Sequence, residues 1–353
     1  MDKYTRSKAL YVLSVPAWMD WITPFLTERS TYPDLVFWEP GAKRPVRLDA
    51  AIERKVVMLS YHSTLQRDAE YAKHHSNTVA QPCHMAAIAH DKTAMAAATT
   101  AVADLNAITE LTPSEVEATL RATKGQGVIY KKRAGTEGDG FGLIKTESEW
   151  HQINNLITPS EYIFQPCLVG EEYSVNLLCD GKNSLLYEPV AKGSNANSSL
   201  HPAKRKRVFP APLCREEKNA LIKVAADYAA AIGAFGLLEI EFIVVQGRIY
   251  LIEVNPRLAA TLRMCISASP TNLLLELANL KPGSLQSTRY ITANQHSVEI
   301  PLLPNLSDYE LSALAKMDNV HLSSRITITS PDATAALALV ERLINRTLLE
   351  MAS

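Results

Sequence analysis

The sequence has almost no net charge and no long apolar run, and both shortages exclude common classes of protein. Lysine and arginine total 36 against 37 aspartates and glutamates, so a net charge of −1 gives no general attraction to nucleic acid or to an anionic membrane. No apolar run approaches the roughly 20 residues that a membrane-spanning helix needs. The apolar stretch near residues 9–19 is broken by Pro16 and lacks a clear cleavage site, so we interpret it as a buried first strand rather than a signal peptide.

Cysteine is scarce and forms no motif. The five cysteines are odd in number, widely spaced and without any C-x-x-C pair, which indicates reduced thiols in a cytoplasmic protein and no zinc site. The histidines between residues 74 and 90 also lack the spacing of zinc ligands, so we expect them in the core or on the surface.

Two familiar nucleotide-binding signatures are absent. SVPAWMDW follows the first apolar run where a dinucleotide-binding unit would carry G-x-G-x-x-G, and G-x-x-x-x-G-K-[ST] does not occur. The apolar runs at 9–15, 35–38 and 55–60 are separated by helical stretches, and this β-α-β spacing predicts a small parallel sheet. We therefore expect a first unit that is Rossmann-like in shape only.

Local patterns predict the elements that follow. The Ala-rich stretch from His90, HDKTAMAAATTAVADL, predicts one unbroken helix. Thr112 is a predicted N-cap, with Pro113 at the first helical position and Glu115 completing a capping box. The remaining predictions are a strand in QGVIYKK, a helix in ESEWHQINNLI, a hairpin turn at Asp180-Gly181, a long loop over 193–212, a helix in REEKNALIKVAADYAAAIGA and a final strand and helix in SSRITITSPDATAALALVERLI.

The hairpin LEIEFIVVQGRIYLIEVNPR places polar side chains on strands that otherwise look apolar. Strand alternation puts Glu239 and Glu241 on one face, and Glu253 and Asn255 on one face of the returning strand. A two-residue turn would set the two pairs on opposite sides of the sheet. We therefore predict a three-residue loop with Gly247 in the left-handed conformation, or a bulge, so that all four share a face.

Carboxylates at cross-strand distance repel each other unless a cation lies between them. Two or three oxygen ligands on one face suit Mg²⁺, which commonly binds one or two carboxylates together with substrate phosphates. The alternative is a solvated polar face with Arg248 and Arg257 as counter-ions, and a lone E-x-E strand favours that alternative. A phosphate-binding element elsewhere in the chain would favour the metal.

Such an element stands upstream, in IYKKRAGTEGDGFG. Lysines at a strand end precede a glycine-rich loop, in which glycine lets backbone N–H groups approach a phosphate closely. Alone, this loop is weak evidence. In order, the chain has HDK at 90–92, VIYKKRAGTEGDGFG at 128–142, FQPCLVGEEYSV at 164–175 and LEIEFIVVQGRIYLIEVNPR at 238–257. This order and spacing, over about residues 90–260, resembles the ATP-grasp superfamily of carboxylate-activating ligases, with a departure at Lys132, where proline is common.

The resemblance implies an α/β fold of ATP-grasp type, with α+β lobes and a small Rossmann-like N-terminal domain. It also implies ATP and one or two Mg²⁺ ions, which Mn²⁺ would replace, as cofactors. The implied nucleotide contacts are Lys92 and Lys131 to phosphates, the loop 134–142 with Gly135, Gly138 and Gly140 over the β- and γ-phosphates, Gln165, Pro166, Cys167 and Leu168 at adenine, and Glu172 at the ribose.

For the chemistry, the resemblance implies metal ligation by Glu241, Glu253 and Asn255. Arg257, Lys131 and Asn255 are the implied catalytic residues, with Arg257 facing the γ-phosphate or the acyl-phosphate. The role of Glu239 stays open between third ligand, a partner behind the ligands and a substrate-facing group. The expected reaction is phosphorylation of a small carboxylate and coupling to an amine, giving an amide, ADP and phosphate, as in specialised-metabolite biosynthesis.

Alternatives remain beside this expectation. A thiol or bicarbonate is another acceptor for the same chemistry, and a nucleotide-binding module without turnover is another class. The four cations Lys204–Arg207 are a solvated loop, contacts to the γ-phosphate or substrate carboxylate, or a nucleic-acid-binding or nuclear-import cluster, and the net charge of −1 disfavours the last. Arg263 is either substrate-facing or on a helix surface. We expect small-molecule partners, no nucleic acid and no membrane, with a homodimer as one arrangement.

The expected domains follow from the motifs. They are a parallel-sheet domain at 1–88, a first ATP-grasp lobe with the glycine-rich loop at 89–168, a second lobe with the Mg-ATP site at 169–285 and a C-terminal α+β extension at 286–353 that packs on the second lobe.

Overall fold

The computed structural model describes most of the chain in segments. The described residues are 10–14, 35–38, 55–60, 64–75, 78–123, 125–134, 140–196, 204–303 and 306–351. The strands are β1 Leu10–Ser14, β2 Leu35–Trp38, β3 Lys55–Leu59, β4 Thr78–Val79, β5 Leu105–Ala107, β6 Val128–Lys132, β7 Gly142–Ile144, β8 Tyr162–Pro166, β9 Glu171–Asp180, β10 Ser184–Tyr187, β11 Val190–Ser194, β12 Arg207–Phe209, β13 Phe235–Val245, β14 Arg248–Asn255, β15 Arg289–Ile291, β16 His296–Pro301, β17 Val320–Leu322 and β18 Arg325–Ser330.

The helices alternate with these strands and give the α/β class that the sequence predicts. They are α1 Leu65–Lys73, α2 Cys83–His90, α3 Lys92–Ala97, α4 Pro113–Ala122, α5 Glu147–Asn154, α6 Arg215–Ala231, α7 Leu262–Ala268, α8 Leu273–Asn279, α9 Asp308–Ala315 and α10 Ala333–Met351. None of the helices in these segments is long and apolar enough to cross a membrane.

The N-terminal strands form a four-stranded sheet in the order β2-β1-β3-β4, with every neighbouring pair parallel. This confirms the parallel sheet predicted from the apolar runs. Val57 and Leu59 of β3 are buried in the same apolar cluster as Leu237, Leu258 and Leu277. The N-terminal sheet therefore packs on the segment that carries the polar hairpin.

A small antiparallel sheet, in the order β7-β6-β8, carries the lysine strand and the predicted adenine strand. Helices α4 and α5 cover it, and Trp150 meets Phe164 edge to face with ring centroids 5.2 Å apart. The capping box of Thr112 and Glu115 is present, with Pro113 in the first turn, as predicted. This layer presents Lys131 and Gln165 toward the larger sheet.

An eleven-stranded sheet forms the centre of the described molecule. Its main path runs β17-β18-β16-β12-β11-β9-β13-β14-β5, and β10 and β15 branch from β9. Helix α6 buries Leu221, Val224 and Tyr228 against one face, as the amphipathic pattern of its sequence requires. The predicted C-terminal strand and helix are confirmed as β18 and α10.

The sheet pairings cross two of the expected domain boundaries. Strand β5, expected with the first lobe, pairs in parallel with β14 of the second lobe. Strand β16 of the expected C-terminal extension pairs with β12, so its strands continue the second-lobe sheet edge to edge. Burial of Ile300, Ile326 and Ile328 gives this end of the sheet its own apolar cluster.

Two local predictions were wrong. The helix predicted from His90 to Leu105 is too long. Asp91 has extended backbone angles and accepts hydrogen bonds from Thr93 and Ala94 as the N-cap of α3, so the helix begins only at Lys92. It ends at Ala97, a 3₁₀ helix follows over Ala98–Ala101, and Leu105 begins β5. The loop predicted over 193–212 contains strand β12, which lies between β11 and β16. Its burial alternates as in a strand, with Arg207 and Phe209 buried and Val208 less so, but its partner strand β16 is distant in the sequence.

Candidate functional site

The polar hairpin reaches a common face through a bulge. Gln246 and Gly247 both have positive φ, 49° and 77°, and form a two-residue turn that pairs Val245 with Arg248. The predicted three-residue loop is therefore wrong, and the alternative of a bulge is correct. The register shifts between Phe242 and Glu241, with Ile252 as the extra residue on the returning strand.

Beyond the bulge, the acidic residues pair across the strands. Glu241 lies opposite Glu253, and Glu239 lies opposite Asn255. Opposed residues share a face, so the two proposed carboxylate ligands are neighbours, as the sequence predicts. Across the described segments, no three His, Cys, Asp or Glu side chains form a group that alone would hold a metal ion.

Lysines from three other elements compensate the two carboxylates. Lys192 Nζ on β11 lies 2.5 Å from Glu241 Oε2, and Lys92 Nζ lies 3.7 Å from Glu253 Oε1. Both lysines are buried, so Lys92 is not a helix-surface lysine. Lys131 donates to the Ile252 carbonyl at 3.4 Å. The face is thus a mixed cluster of lysine and carboxylate groups.

The break at Asp91 explains how Lys92 reaches the site. Asp91 caps a new helix at Lys92, so the lysine stands in the first turn of α3, against β14. A continuous helix would carry the direction of α2 past this point. The interruption that propensity does not predict is therefore what positions one of the predicted phosphate ligands.

Burial and neighbouring charges give the acidic residues unequal proton affinities. Burial raises the pKa of Glu239, and the nearby Glu241 charge raises it further. Burial also acts to raise the pKa of Glu241, but the Lys192 ammonium outweighs it and the pKa is lowered. Glu239 is therefore the more readily protonated of the two, and Glu241 carries the charge.

Glu239 lies behind the face rather than on it. It is buried and accepts hydrogen bonds from Thr261 Oγ1 and, at 3.2 Å, from Asn255 Nδ2. Asn255 Oδ1 in turn accepts from Arg257 Nη2 at 3.2 Å. This chain of contacts orients the amide and the guanidinium of the NPR segment. Of the three roles left open by the sequence, the geometry favours that of a partner behind Glu241 and Asn255.

A cavity of about 560 Å³ separates the three-stranded sheet from the central sheet beside this face. Its apolar walls include Ile129, Ile243 and Ile252. The predicted nucleotide contacts that line it are Lys131, Gln165, Pro166, Leu168 and Glu172. The structure thus brings these residues together around one cleft that is open to solvent.

Two predicted nucleotide contacts are placed differently. Cys167 lines a neighbouring surface depression instead of this cavity, and its backbone N–H donates to the Gly127 carbonyl at 3.0 Å. Gln165 lines the cavity but its Nε2 donates to the Ile108 carbonyl at 3.1 Å. Its side chain therefore joins the two layers, and its contact with adenine remains a prediction.

Glu172 is a buried strand residue with a charged partner. Arg205 Nη2 lies 2.6 Å from Glu172 Oε2. Burial raises the pKa of Glu172, and the Arg205 guanidinium opposes that rise. Arg205 comes from the basic stretch Lys204–Arg207, in which Lys204 and Lys206 are exposed while Arg205 and Arg207 are buried. Only half of that stretch is a solvated charged surface.

The glycine-rich loop is described in part. Gly135 and Gly138 lie outside the described residues, whereas Gly140 is included and has a φ of 67°. A Cβ at Gly140 would lie 2.7 Å from Cγ of Lys132. Lys132, the residue that departs from the family pattern, therefore packs over the end of this loop and depends on glycine there.

A second charged cluster lies at the edge of the site, around Glu299 on β16. This carboxylate is fully buried and is contacted by Arg207, Arg263 and Arg325. The placement of Arg263 on a helix surface is therefore wrong, since it is buried. We call these four residues the Glu299 cluster.

Sequence reasoning did not single out Lys192, and it did not identify Asn195 as a structural partner of the adenine segment. Asn195 holds that segment by accepting from the Gly170 N–H at 2.9 Å and donating to the Leu168 carbonyl at 2.8 Å. Within EPVAKGSNAN, Lys192 lies on strand β11 and Asn195 follows its last residue. A basic residue on a short strand and an amide residue after it were the available signal, and it is weak without the opposing strand.

Comparisons with known proteins agree with this geometry. Residues 98–261 match a family model described as an ATP-grasp domain. A segment of 129 residues is 32% identical to the carbamoyl phosphate synthase large chain of Clostridium botulinum. The matched segment makes up 35% of this chain and 12% of that relative. The chain thus spans a small fraction of the length of the curated relatives it matches.

Solved structures match over almost the whole chain. The ADP complex of an N5-carboxyaminoimidazole ribonucleotide synthetase superposes with a TM-score of 0.71 at 14% identity, covering 98% of both chains. An L-amino acid ligase from Bacillus licheniformis gives a TM-score of 0.70 at 15% identity, covering 97% of this chain and 98% of that one. The predicted fold is confirmed, and residues 98–261 of the chain match an ATP-grasp domain.

Proposed function

We propose that the chain is an ADP-forming ligase that phosphorylates a small carboxylate with Mg-ATP and couples the acyl-phosphate to an amine. One observation carries the proposal. Glu241 and Glu253 lie opposite each other, and each is paired with a lysine, Lys192 with Glu241 and Lys92 with Glu253. They lie next to a cleft that is lined by Lys131 and by apolar side chains. Such a mixture of carboxylates and lysines is suited to a polyphosphate with its cation.

The proposed nucleotide position follows from the cleft. Adenine would lie between Ile129, Ile243 and Ile252, beside the backbone of Pro166 and Leu168. The ribose would meet Glu172, which already has a charged partner and is therefore held in place. The phosphates would then extend along Lys131 toward the acidic face.

Glu241, Glu253 and Asn255 would hold one or two Mg²⁺ ions, for which Mn²⁺ would substitute. The donor set fits, because these are hard oxygen ligands and two carboxylates are the usual protein share of a magnesium site completed by phosphates. When bound, the ion neutralises phosphate charge. Lys92 and Lys192 would exchange their carboxylate contacts for phosphate oxygens, so the buried charge stays balanced.

The proposed reaction has two steps. A carboxylate oxygen attacks the γ-phosphorus, and the bond from that phosphorus to its bridging oxygen breaks, so ADP leaves with the electron pair. The amine nitrogen then attacks the acyl carbon, the carbon–oxygen bond breaks, phosphate leaves with the electron pair, and the nitrogen loses a proton. Arg257, oriented by Asn255, would hold the carboxylate and then the acyl-phosphate.

A release assay for ADP and phosphate tests this proposal. Mg-ATP is incubated with a matrix of small carboxylates and amines, with hydroxylamine, a thiol and bicarbonate as further acceptors, and products are identified by mass spectrometry. We expect at least one acid–amine pair to stimulate ADP formation and to give an amide. Absence of stimulation by every acid would refute ligase function, and a product only with a thiol or bicarbonate would refute the amine acceptor.

Glu253→Ala tests the metal face in the same assay. We expect a loss of roughly 10²–10³-fold in turnover, since an aligned group that neutralises phosphate charge is removed. Glu276→Ala is the matched control, because Glu276 is partly exposed and lies 3.6 Å from the exposed Arg289, away from the cleft. Full activity of Glu253→Ala would contradict the assignment.

A further inference from the structure

A second cavity lies where the N-terminal sheet meets the central sheet. The enclosed part of this cavity is small, about 20 Å³, and the space rises to about 290 Å³ when the solvent at its open mouth is counted. Its lining includes Ser60 directly after β3, Gln81 shortly after β4, and Arg257 of the NPR segment. Strands β3 and β4 are parallel, so the cavity stands at the carboxyl edge of a parallel sheet, where ligands of α/β proteins commonly bind.

Three buried polar atoms on residues of this lining have no hydrogen-bond partner within the described part of the chain. They are Ser60 Oγ, Gln81 Oε1 and Arg257 Nε. Buried polar atoms without partners are rare, because the lost solvation is not replaced. Three of them on residues that line one cavity identify it as a candidate ligand site.

The available donors and acceptors are fixed by the contacts that the same side chains already make. Gln81 Nε2 donates to the Leu237 carbonyl, which leaves Oε1 as an acceptor. Gly236, with a φ of 84°, permits this approach, since a Cβ there would lie 2.8 Å from that nitrogen. Arg257 uses Nη1 on the Leu258 carbonyl and Nη2 on Asn255, which leaves Nε–H as a donor.

We propose that this cavity binds the substrate that is phosphorylated, and that this substrate is an α-amino acid with a small apolar side chain. The inference rests on the proposed ligase function. A carboxylate oxygen accepts from Arg257 Nε–H, and the α-ammonium donates to Gln81 Oε1 and Ser60 Oγ. Gln81 Oε1 can only accept, while the Ser60 hydroxyl can accept or donate, and an ammonium with its three donors serves both atoms at once, where a hydroxyl has one donor.

The remaining lining selects the side chain. Val79, Leu237 and Leu277 contribute apolar surface, which suits a methyl or similarly small group. Arg257 also connects this cavity with the acidic face, since Asn255 lies between its Nη2 and Glu241, 3.2 Å from the former and 3.5 Å from the latter. A carboxylate on Arg257 is therefore next to the proposed γ-phosphate position.

Three acids of matched size test the proposal on the full chain. L-alanine, L-lactate and propionate carry an ammonium, a hydroxyl and a hydrogen at the same carbon, and L-phenylalanine adds bulk. With Mg-ATP and hydroxylamine, we expect kcat/KM for ADP formation with alanine to exceed that with lactate and propionate by roughly tenfold or more, and phenylalanine to be poor. Equal use of propionate, or preference for lactate or phenylalanine, would overturn the amino-acid assignment while leaving ligase function standing. No response to any acid would instead overturn ligase function.

Ser60→Ala separates a ligand site from a site that holds only water. The hydroxyl bonds nothing in the described chain, so its removal leaves the fold intact. We expect KM for alanine to rise roughly tenfold while KM for propionate is unchanged. A thermal-shift titration with alanine in the presence of Mg-ADP reads the same loss without turnover. An unchanged alanine KM and an unchanged thermal shift would overturn the proposal.

Discussion

The Glu299 cluster gives a prediction whose size follows from the structure. Arg207 Nη1 lies 3.0 Å and Arg325 Nε 2.6 Å from Glu299 Oε1, while Arg263 contacts Oε2. Thr327 also donates to Oε2 at 3.1 Å. The perturbation is Glu299→Gln, which keeps the shape of the side chain and removes the one negative charge among three buried guanidinium groups.

Two separate arguments give the expected loss in free energy of unfolding for Glu299→Gln. Burial acts to raise the pKa of Glu299, but Arg263, Arg207 and Arg325 outweigh it and lower the pKa from 4.5 to about 2. A depression of about 2.5 units corresponds to about 3 kcal/mol of stability, which is present above pH 4.5 and lost as the pH falls through about 2. Removing one partner of a buried ion pair costs about 3–5 kcal/mol, in agreement.

Hydrogen exchange measured by mass spectrometry provides the assay. Peptides covering β16 and β18 report the free energy of opening at this end of the sheet, where a global melting curve would average over several units. We expect Glu299→Gln to reduce that free energy by about 3 kcal/mol at pH 7. Glu276→Gln, at a solvent-exposed ion pair 3.6 Å long, is the control and should cost less than about 0.5 kcal/mol. Equal protection in the two variants would refute the reasoning.

Two further predictions concern the thiols and a buried hydroxyl. Cys214 is exposed, whereas Cys179 is buried and its burial raises the pKa of its thiol to about 12. Iodoacetamide should therefore label Cys214 in the native protein and Cys179 only after unfolding, as measured by peptide mass spectrometry. Prompt labelling of Cys179 in the native protein would contradict its burial. Tyr228→Phe should lower the free energy of unfolding in urea by about 1–3 kcal/mol, because Tyr228 donates to the buried Met95 carbonyl at 2.8 Å. Tyr309→Phe, at an exposed position, is the control and should leave that free energy unchanged. Equal urea midpoints for the two variants would contradict a stabilising Tyr228 hydrogen bond.

The acidic face was predictable from the sequence because side chains alternate along a strand, and this alternation determines which of them share a face. Alternation placed Glu239 with Glu241, and parity required either an odd loop or a bulge before Glu253 could join them. Where the extra residue lies was not predictable, because the turn residues Gln246 and Gly247 accept more than one loop length. The position of the bulge depends on pairing with strands on both sides.

Long-range contacts account for what the sequence did not predict. Helix propensity favours continuity at Asp91, while the packed site requires Lys92 to stand at a helix start near Glu253. The basic stretch looked like a loop because the partners of Arg205 and Arg207 are Glu172 and Glu299, 33 and 92 residues away. Local patterns contain no information about pairs at such separations.

The bulge at Ile252 has a consequence for how the two lobes are held together. The carbonyl of this extra residue accepts from Lys131 of the other lobe at 3.4 Å, and its side chain lines the cleft between them. A backbone acceptor is the same for every amino acid, so substitutions at position 252 would reshape the cleft wall and leave the bond across it unchanged. Among changes at position 252, only deletion of the residue would remove the hydrogen bond from Lys131. This contact between the lobes is therefore insensitive to residue identity, and sequence variation at position 252 would give no sign that it exists.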